Sequence, residues 1–171
     1  LYPLQRSIPF IVSTQNIVED MPVIRSLLAY KGEDASGALL RFIVHNYVTL
    51  RESYDIGTFD RSVNGVKSQS EDGVLKEFQR QIDPRNPESP ITLYQRHSKR
   101  SIAILSSKQL GGEPPAMEIV YEAMVEGRGE IKKSRWQANI SFNYSGVALD
   151  EKGEVKPVSF IVTEYRIKRL Q

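Results

Sequence analysis

The chain has no cysteine, and only two histidines and one tryptophan among its 171 residues. The missing cysteine excludes disulfides, thiol nucleophiles and thiolate-bound zinc. It does not fix the compartment, because many periplasmic domains also lack disulfides. His45 and His97 have no local ligand spacing, so no metal is expected. Nothing marks a histidine for a serine-based triad. Phosphate-cradling glycine loops are absent: Gly127-Arg128-Gly129 and Gly111-Gly112-Glu113 read as hairpin turns, and no cofactor is expected. Long apolar runs are also missing. The most apolar stretch, 38–48, is cut by Arg41 and His45, and nothing approaches the ~18 residues of a spanning helix. The chain opens at Leu1 without a methionine or a signal peptide, so the expectation is an excised domain whose anchor lies upstream. One-sided charge is scarce, too. A net charge of +2 is too weak to imply nucleic acid as partner. The basic residues nevertheless crowd the C-terminal part, from Arg128 through Lys132, Lys133 and Arg135 to Arg166, Lys168 and Arg169. That crowding reads either as a solvated basic face or as a phosphate-binding surface.

What is present is ordinary apolar content for one domain, 40%, patterned in two ways. From Trp136 the apolar residues fall on every second position: Trp136, Ala138, Ile140, Phe142 and Tyr144. Asn, Gln and Ser fill the gaps, so 129–146 predicts the central strand of an antiparallel sheet. Further strands are expected at about 98–107, 116–126, 131–144 and 158–170, joined by turns at 111–115, 127–129 and 150–153. In the first half the period is helical. The strongest helix spans 35–54, with Leu39, Leu40, Ile43, Tyr47, Leu50 and Tyr54 in a stripe that Phe42, Val44 and Val48 widen past half the girth. Such a helix must be covered on two sides, by the sheet and by another helix or a partner chain. Shorter helices are expected at 58–67 and 71–82, and a weaker one at about 21–30. The apolar run 8–12 reads as an edge strand or an extended segment. Between helices and sheet lies 83–90, whose three prolines predict an ordered turn without helix or ladder pairing. Helices first and then a meander of long strands means α+β, with residues 1–34 as an extended or helical leading segment and 35–171 as one domain.

Candidate chemistry is sparse. His45 in the long helix reads as a structural histidine; an acid–base pair would need Asp55 or Asp60 to fold back towards it. Arg51 and Asp55 stand at i, i+4 and are expected to pair, either as a helix-terminal salt bridge or as a signature fixing how the helix meets its neighbours. Trp136 reads as core, with ligand stacking as the alternative.

The ordered set Tyr47-Val48-x-x-Arg51-Glu52-Ser53-Tyr54-Asp55, Asn86-Pro87-x-Ser89-Pro90, Ser101-Ile102, Arg135-Trp136-x-Ala138-x-Ile140 and Phe160-x-Val162-Thr163-x-Tyr165 resembles a known family. It is similar to the periplasmic domain of the inner-membrane assembly component of bacterial type IV secretion systems, the eighth VirB protein family. The resemblance implies a fold like nuclear transport factor two, with helices on a strongly curved antiparallel sheet of about four strands. It implies a single-pass inner-membrane protein with this domain in the periplasm. The implied role is non-enzymatic: bridging channel components by protein–protein contacts, with a weak homodimer. One departure stands out. Where the family carries an Asn-Pro-Leu-Gly-Phe-like turn, this chain has Lys156-Pro157-Val158-Ser159-Phe160, and Ser159 resists backbone geometry that glycine permits. The surfaces expected to act are the helix 35–54, the proline turn and the segment 156–160. The rival expectation is a small-molecule-binding or enzymatic domain of the same cone-like fold.

Overall fold

The computed structural model describes residues 35–145, 147–149, 155–157 and 159–171. The expected helix at 21–30 and the segment 8–12 lie outside them. Among the described residues four helices come first: α1 (Ala35–Glu52), α2 (Phe59–Ser68), α3 (Asp72–Ile82) and α4 (Pro90–Tyr94). Six strands follow: β1 (Ser98–Leu110), β2 (Ala116–Gly127), β3 (Glu130–Tyr144), β4 (Val147–Leu149), β5 (Val155–Pro157) and β6 (Phe160–Leu170). The long strands form one antiparallel sheet in the order β1-β2-β3-β6, and β4 pairs with β5 as a separate hairpin.

The chain divides into two compact units. Unit one comprises Leu1–Ile43 and Tyr144–Phe160. Its described part is the start of α1, where Ala38 and Leu39 are buried, and the β4–β5 hairpin, registered by Val147 opposite Pro157. Beside that hairpin the Ser145 amide donates to the Ser159 carbonyl at 3.2 Å. Lys156 and Pro157 therefore lie in a strand pair, where the sequence suggested a loop, and the last long strand begins at Phe160 rather than at 158. Short strands of three residues carry too little alternation to be read in advance.

Unit two comprises Val44–Asn143 and Ile161–Gln171 and holds the sheet and the remaining helices. Alternation is carried through as expected on β2, where Met117, Ile119, Tyr121 and Ala123 are buried. Opposite them on β3 stand Ile140, Ala138 and Trp136, in register with Met117, Ile119 and Tyr121. The β2–β3 hairpin has a two-residue loop, Arg128-Gly129, with both residues at positive φ, 53° and 78°. That geometry matches the right-handed twist of the strands. Gly127 beside it is required by space: a Cβ there would lie 2.6 Å from the His97 carbonyl oxygen. A register shift between Ile104 and Ser106 puts a bulge in β1, which bends the strand.

In the part of α1 that belongs to unit two, Val44, Tyr47, Val48, Arg51 and Glu52 are buried, and His45, Asn46, Thr49 and Leu50 are half-buried. Part of that cover is α2, which approaches so closely that a Cβ on Gly65 would sit 2.7 Å from Leu50 Cδ1. The proline turn is ordered by its own side chains. Asn86 Oδ1 accepts from the Glu88 amide at 3.0 Å, and the Asn86 amide donates to the Asp83 carbonyl at 2.8 Å. The expectation that this turn excludes helix needs correction at its end: Pro90 is the first residue of α4. A proline at that position loses no hydrogen bond, because the first amides of a helix have no partner within it. Ser89 is fully buried, and its carbonyl accepts from the Thr92 and Leu93 amides.

Candidate functional site

The end of α1 delivers two charges into the interior of unit two. Arg51 is 6% exposed and Glu52 8% exposed. Isolated buried charges are costly, so the surroundings of each decide what it does.

Arg51 does not reach Asp55. Its Nη1 donates to Tyr47 Oη at 3.1 Å and its Nη2 to Gln81 Oε1 at 3.4 Å. The guanidinium carbon lies 4.0 Å from the Tyr165 ring centroid and 5.2 Å from that of Phe78. The cation is thus held by a phenol oxygen, an amide oxygen and two aromatic faces. The proton order of the next links follows from valence. Ser70 has one hydroxyl proton, which goes to the Val66 carbonyl at 2.6 Å. Tyr47 must therefore donate to Ser70 Oγ at 2.8 Å, leaving its oxygen to accept from Arg51.

Glu52 meets the opposite end of Tyr165. The Tyr165 hydroxyl donates to Glu52 Oε1 at 2.8 Å, and Arg100 Nη1 lies 3.2 Å from Glu52 Oε2. The same Nη1 donates to the Glu52 main-chain oxygen at 2.7 Å. The two tyrosines pack edge to face, with centroids 5.8 Å apart. Arg51, Tyr165, Glu52 and Arg100 thereby form a continuous string of cation, phenol, carboxylate and cation. Tyr165 presents its electron-rich face to one charge and its acidic proton to the other. Burial, then the Glu52 charge and then Tyr121, push the Tyr165 phenol well above the ordinary tyrosine range, against the pull of Arg51. Tyr121, on the same sheet face, is also raised, by burial first and Glu52 second, with Arg100 opposing.

Beyond Glu52 the helix ends because the main chain finds another partner. The Tyr54 amide donates to the Arg100 carbonyl at 2.9 Å, and the Tyr54 carbonyl accepts from the Arg100 amide at 2.8 Å, a bridge to β1. Tyr54 packs between Phe59 and Tyr94, and its hydroxyl donates to the Gln95 carbonyl at 2.7 Å. Asp55, now off the helix, bonds Lys99 Nζ at 2.8 Å and the Gly57 amide at 2.9 Å. The Lys99 bond, followed by that amide, holds its carboxyl below the usual range. The i, i+4 pair expected with Arg51 does not form: Arg51 turns back to Tyr47 and across to Gln81, and Asp55 takes Lys99. Asp55 is likewise engaged by Lys99 rather than by His45.

Trp136 is half-buried, where the sequence suggested core. Its indole nitrogen donates to Ser134 Oγ at 2.8 Å, and the guanidinium carbons of Arg100 and Arg169 each lie 5.9 Å from its ring. β3 keeps its alternation here, but the inner face is open at this end. The string gathers Tyr47, Arg51, Glu52, Tyr165 and, through Arg100, Tyr54 and Trp136. The proline-turn residues Asn86, Pro87, Ser89 and Pro90 stand apart from it, with Asn86 bonding main-chain atoms of residues 80, 81 and 88, and Lys156, Pro157 and Phe160 belong to unit one. Sequence reading missed Arg100, Tyr121, Ser70 and Gln81. Only Tyr121 left a trace, as an inward position in the β2 alternation.

Helices covering one face of a four-stranded, bulged antiparallel sheet define an α+β domain of the nuclear transport factor two-like class. Within its polar interior, Arg51 Nε and the Tyr121 hydroxyl are buried without a hydrogen-bond partner. A family model described as VirB8 protein matches residues 1–169, and the chain belongs to the VirB8 family of type IV secretion system components. It is 24% identical over 169 residues to the type IV secretion system protein virB8 of Bartonella henselae, covering 97% of this chain and 70% of that one. Among solved structures it is similar to the VirB8 protein of Agrobacterium tumefaciens, with a TM-score of 0.72, 21% identity and coverage of 83% and 98%. The soluble domain of TrwG from Bartonella grahamii follows with a TM-score of 0.65, 18% identity and coverage of 83% and 98%. A TraE protein solved in complex with 2-(2-furyl)isonicotinic acid has a TM-score of 0.63, 20% identity and coverage of 83% and 100%.

Proposed function

We propose that this chain is a non-enzymatic assembly element of a type IV secretion channel, bridging inner-membrane and periplasmic components by protein–protein contacts. In this reading residues 1–34 lead from a single membrane anchor, and the domain that follows lies in the periplasm. It meets other core proteins, meets a second copy weakly, and does not engage nucleic acid. No described helix is long and apolar enough to cross a membrane, so the reading places the anchor elsewhere in the protein. The observation that carries the reading is the buried string. Arg51 is held by Tyr47, Gln81 and the Tyr165 ring, and Glu52 by Tyr165 and Arg100, which fixes the end of the helix on the sheet and leaves the outer surfaces to act. Family membership supports the same role.

The test is cell fractionation of the intact protein with protease added from the periplasmic side. Recovery in the inner membrane with a domain cut only after the outer membrane is opened is the expected result. A cytosolic protein would end the reading.

A second reading has one observation in its favour. A groove of about 570 Å³ lies between α3 and β6, walled in part by Gln81, Tyr165 and Arg166. It would admit a planar aromatic acid of the kind bound to TraE. A thermal shift with isonicotinic acid derivatives that Arg166→Glu removes would support it; no shift at millimolar ligand would retire it.

A further inference from the structure

β6 is an edge strand of the sheet, with β3 on one side. Its other side is used at one residue: the Val162 amide donates to the Gln69 carbonyl at 2.8 Å and the Val162 carbonyl accepts from the Glu71 amide at 2.9 Å. The chain then turns away into α3. Among the described residues, no main chain pairs with the outer edge of β6 from Thr163 to Leu170. The groove between α3 and β6 runs beside this edge, and Gly73 on its wall has open space where a side chain would project.

An open edge of this length is a template for another strand. The side chains along it decide which strand. Glu164, Arg166 and Lys168 alternate on one face, and Tyr165, Ile167 and Arg169 on the other. Arg166 is bonded to Glu164, while Lys168 and Arg169 have no carboxylate partner among the described residues. A second copy pairing antiparallel about Ile167 would set Arg166 against Lys168, and in any register it brings a second edge of net positive charge, which disfavours such a pair. A nucleic acid would meet the cations but leave the main-chain donors and acceptors of the edge unused.

We propose that an extended acidic segment of a partner protein adds to the open edge of β6. Its acidic side chains meet Arg166 and Lys168, and its alternate apolar side chains enter the groove beside Tyr165 and Ile167. The recognised segment therefore alternates acidic and apolar residues. This rests on the reading of the chain as an assembly element and names the surface and the chemistry of one partner.

The whole chain is titrated with a fluorescent peptide of alternating Glu and Val, about ten residues long to span the edge. Controls are a Lys–Val peptide, a Glu–Val peptide N-methylated along one edge, and single-stranded DNA of equal charge. Amide exchange in β6 is followed by NMR. The expected result is saturable, salt-sensitive binding of the Glu–Val peptide with slowed exchange between Thr163 and Leu170. N-methylation, and Arg166→Glu with Lys168→Glu, are each expected to weaken binding about tenfold or more. Lys168→Gln, which leaves the Arg166–Glu164 pair intact, gives a smaller loss in the same direction. Absence of binding, equal binding of the N-methylated peptide, indifference to both variants, or tighter binding of DNA would overturn the inference. None of these outcomes involves the channel, so the assembly reading stands or falls separately on the fractionation.

Discussion

Replacing Glu52 by alanine removes the acceptor at the middle of the buried string. Arg100, whose side chain is 14% exposed, loses its carboxylate, and the Tyr165 hydroxyl loses its partner. Breaking a buried ion pair costs about 3–5 kcal/mol, because the surviving charge is left uncompensated. Arg100 keeps its bond to the residue-52 main-chain oxygen, which favours the lower end of that range. The unsatisfied Tyr165 hydroxyl adds about 1 kcal/mol. A loss of about 4 kcal/mol is expected, or a fall in Tm of roughly 8–16 °C for a domain of this size. Glu52→Gln retains an oxygen acceptor for Tyr165 and is expected to lose about 2 kcal/mol. The assay is urea unfolding followed by circular dichroism, read as a change in midpoint at constant slope. Arg100→Met and the double variant complete a cycle. The two groups touch, so the double variant should recover about 2 kcal/mol relative to the sum of the singles. A loss under about 0.5 kcal/mol for Glu52→Ala, or an additive cycle, would refute the claim that this string holds α1 on the sheet.

Other expectations test separate parts of the structure. Tyr165 and Tyr121 have raised folded pKa values, so their contribution is whole below the unfolded tyrosine value, near 10, and is lost as pH rises beyond it. Ultraviolet titration of phenolate should show both silent until the chain unfolds in alkali; Glu52→Gln, by removing the second-largest cause on each, should lower both. Arg85 holds the Asp83 carboxyl at about 2, from an ordinary 3.8, so carboxyl NMR should find its midpoint there; Arg85→Ala should raise it only part of the way back, because the residue-85 main-chain amide still donates to it. Gly129→Ala meets no atom but must keep a φ of 78°, and should cost about 1 kcal/mol. Gly127→Ala should cost more in the same unfolding assay, because its Cβ runs into the His97 carbonyl and the Ser98 side chain.

The pattern of elements was largely legible because each carries a period. The stripe on α1 and the alternation on β2 and β3 are local properties, and burial follows them closely. Failures came where a long-range partner outbid a local one. Arg51 and Asp55 have the spacing of a helical pair, but Tyr54 leaves the helix to bridge Arg100, so Asp55 is no longer on the helical face. The partner of Glu52 lies 48 residues away on β1, a separation at which no spacing rule operates. Trp136 faced inward as its period required, yet how deep an inward residue lies depends on what covers that end of the sheet. Pro90 was read as a helix breaker, although at a first helical position it is a helix starter.

Buried polar groups hold this domain together, and in the proposed role its outer surface assembles a secretion channel. Photo-crosslinking of the intact protein in cells carrying its secretion system tests this most directly, with the crosslinker placed at exposed sites such as Leu93, Leu105 and Arg166. The account predicts adducts with other channel proteins that disappear when those proteins are deleted. Adducts unchanged by such deletions, or none beyond the protein itself, would contradict it.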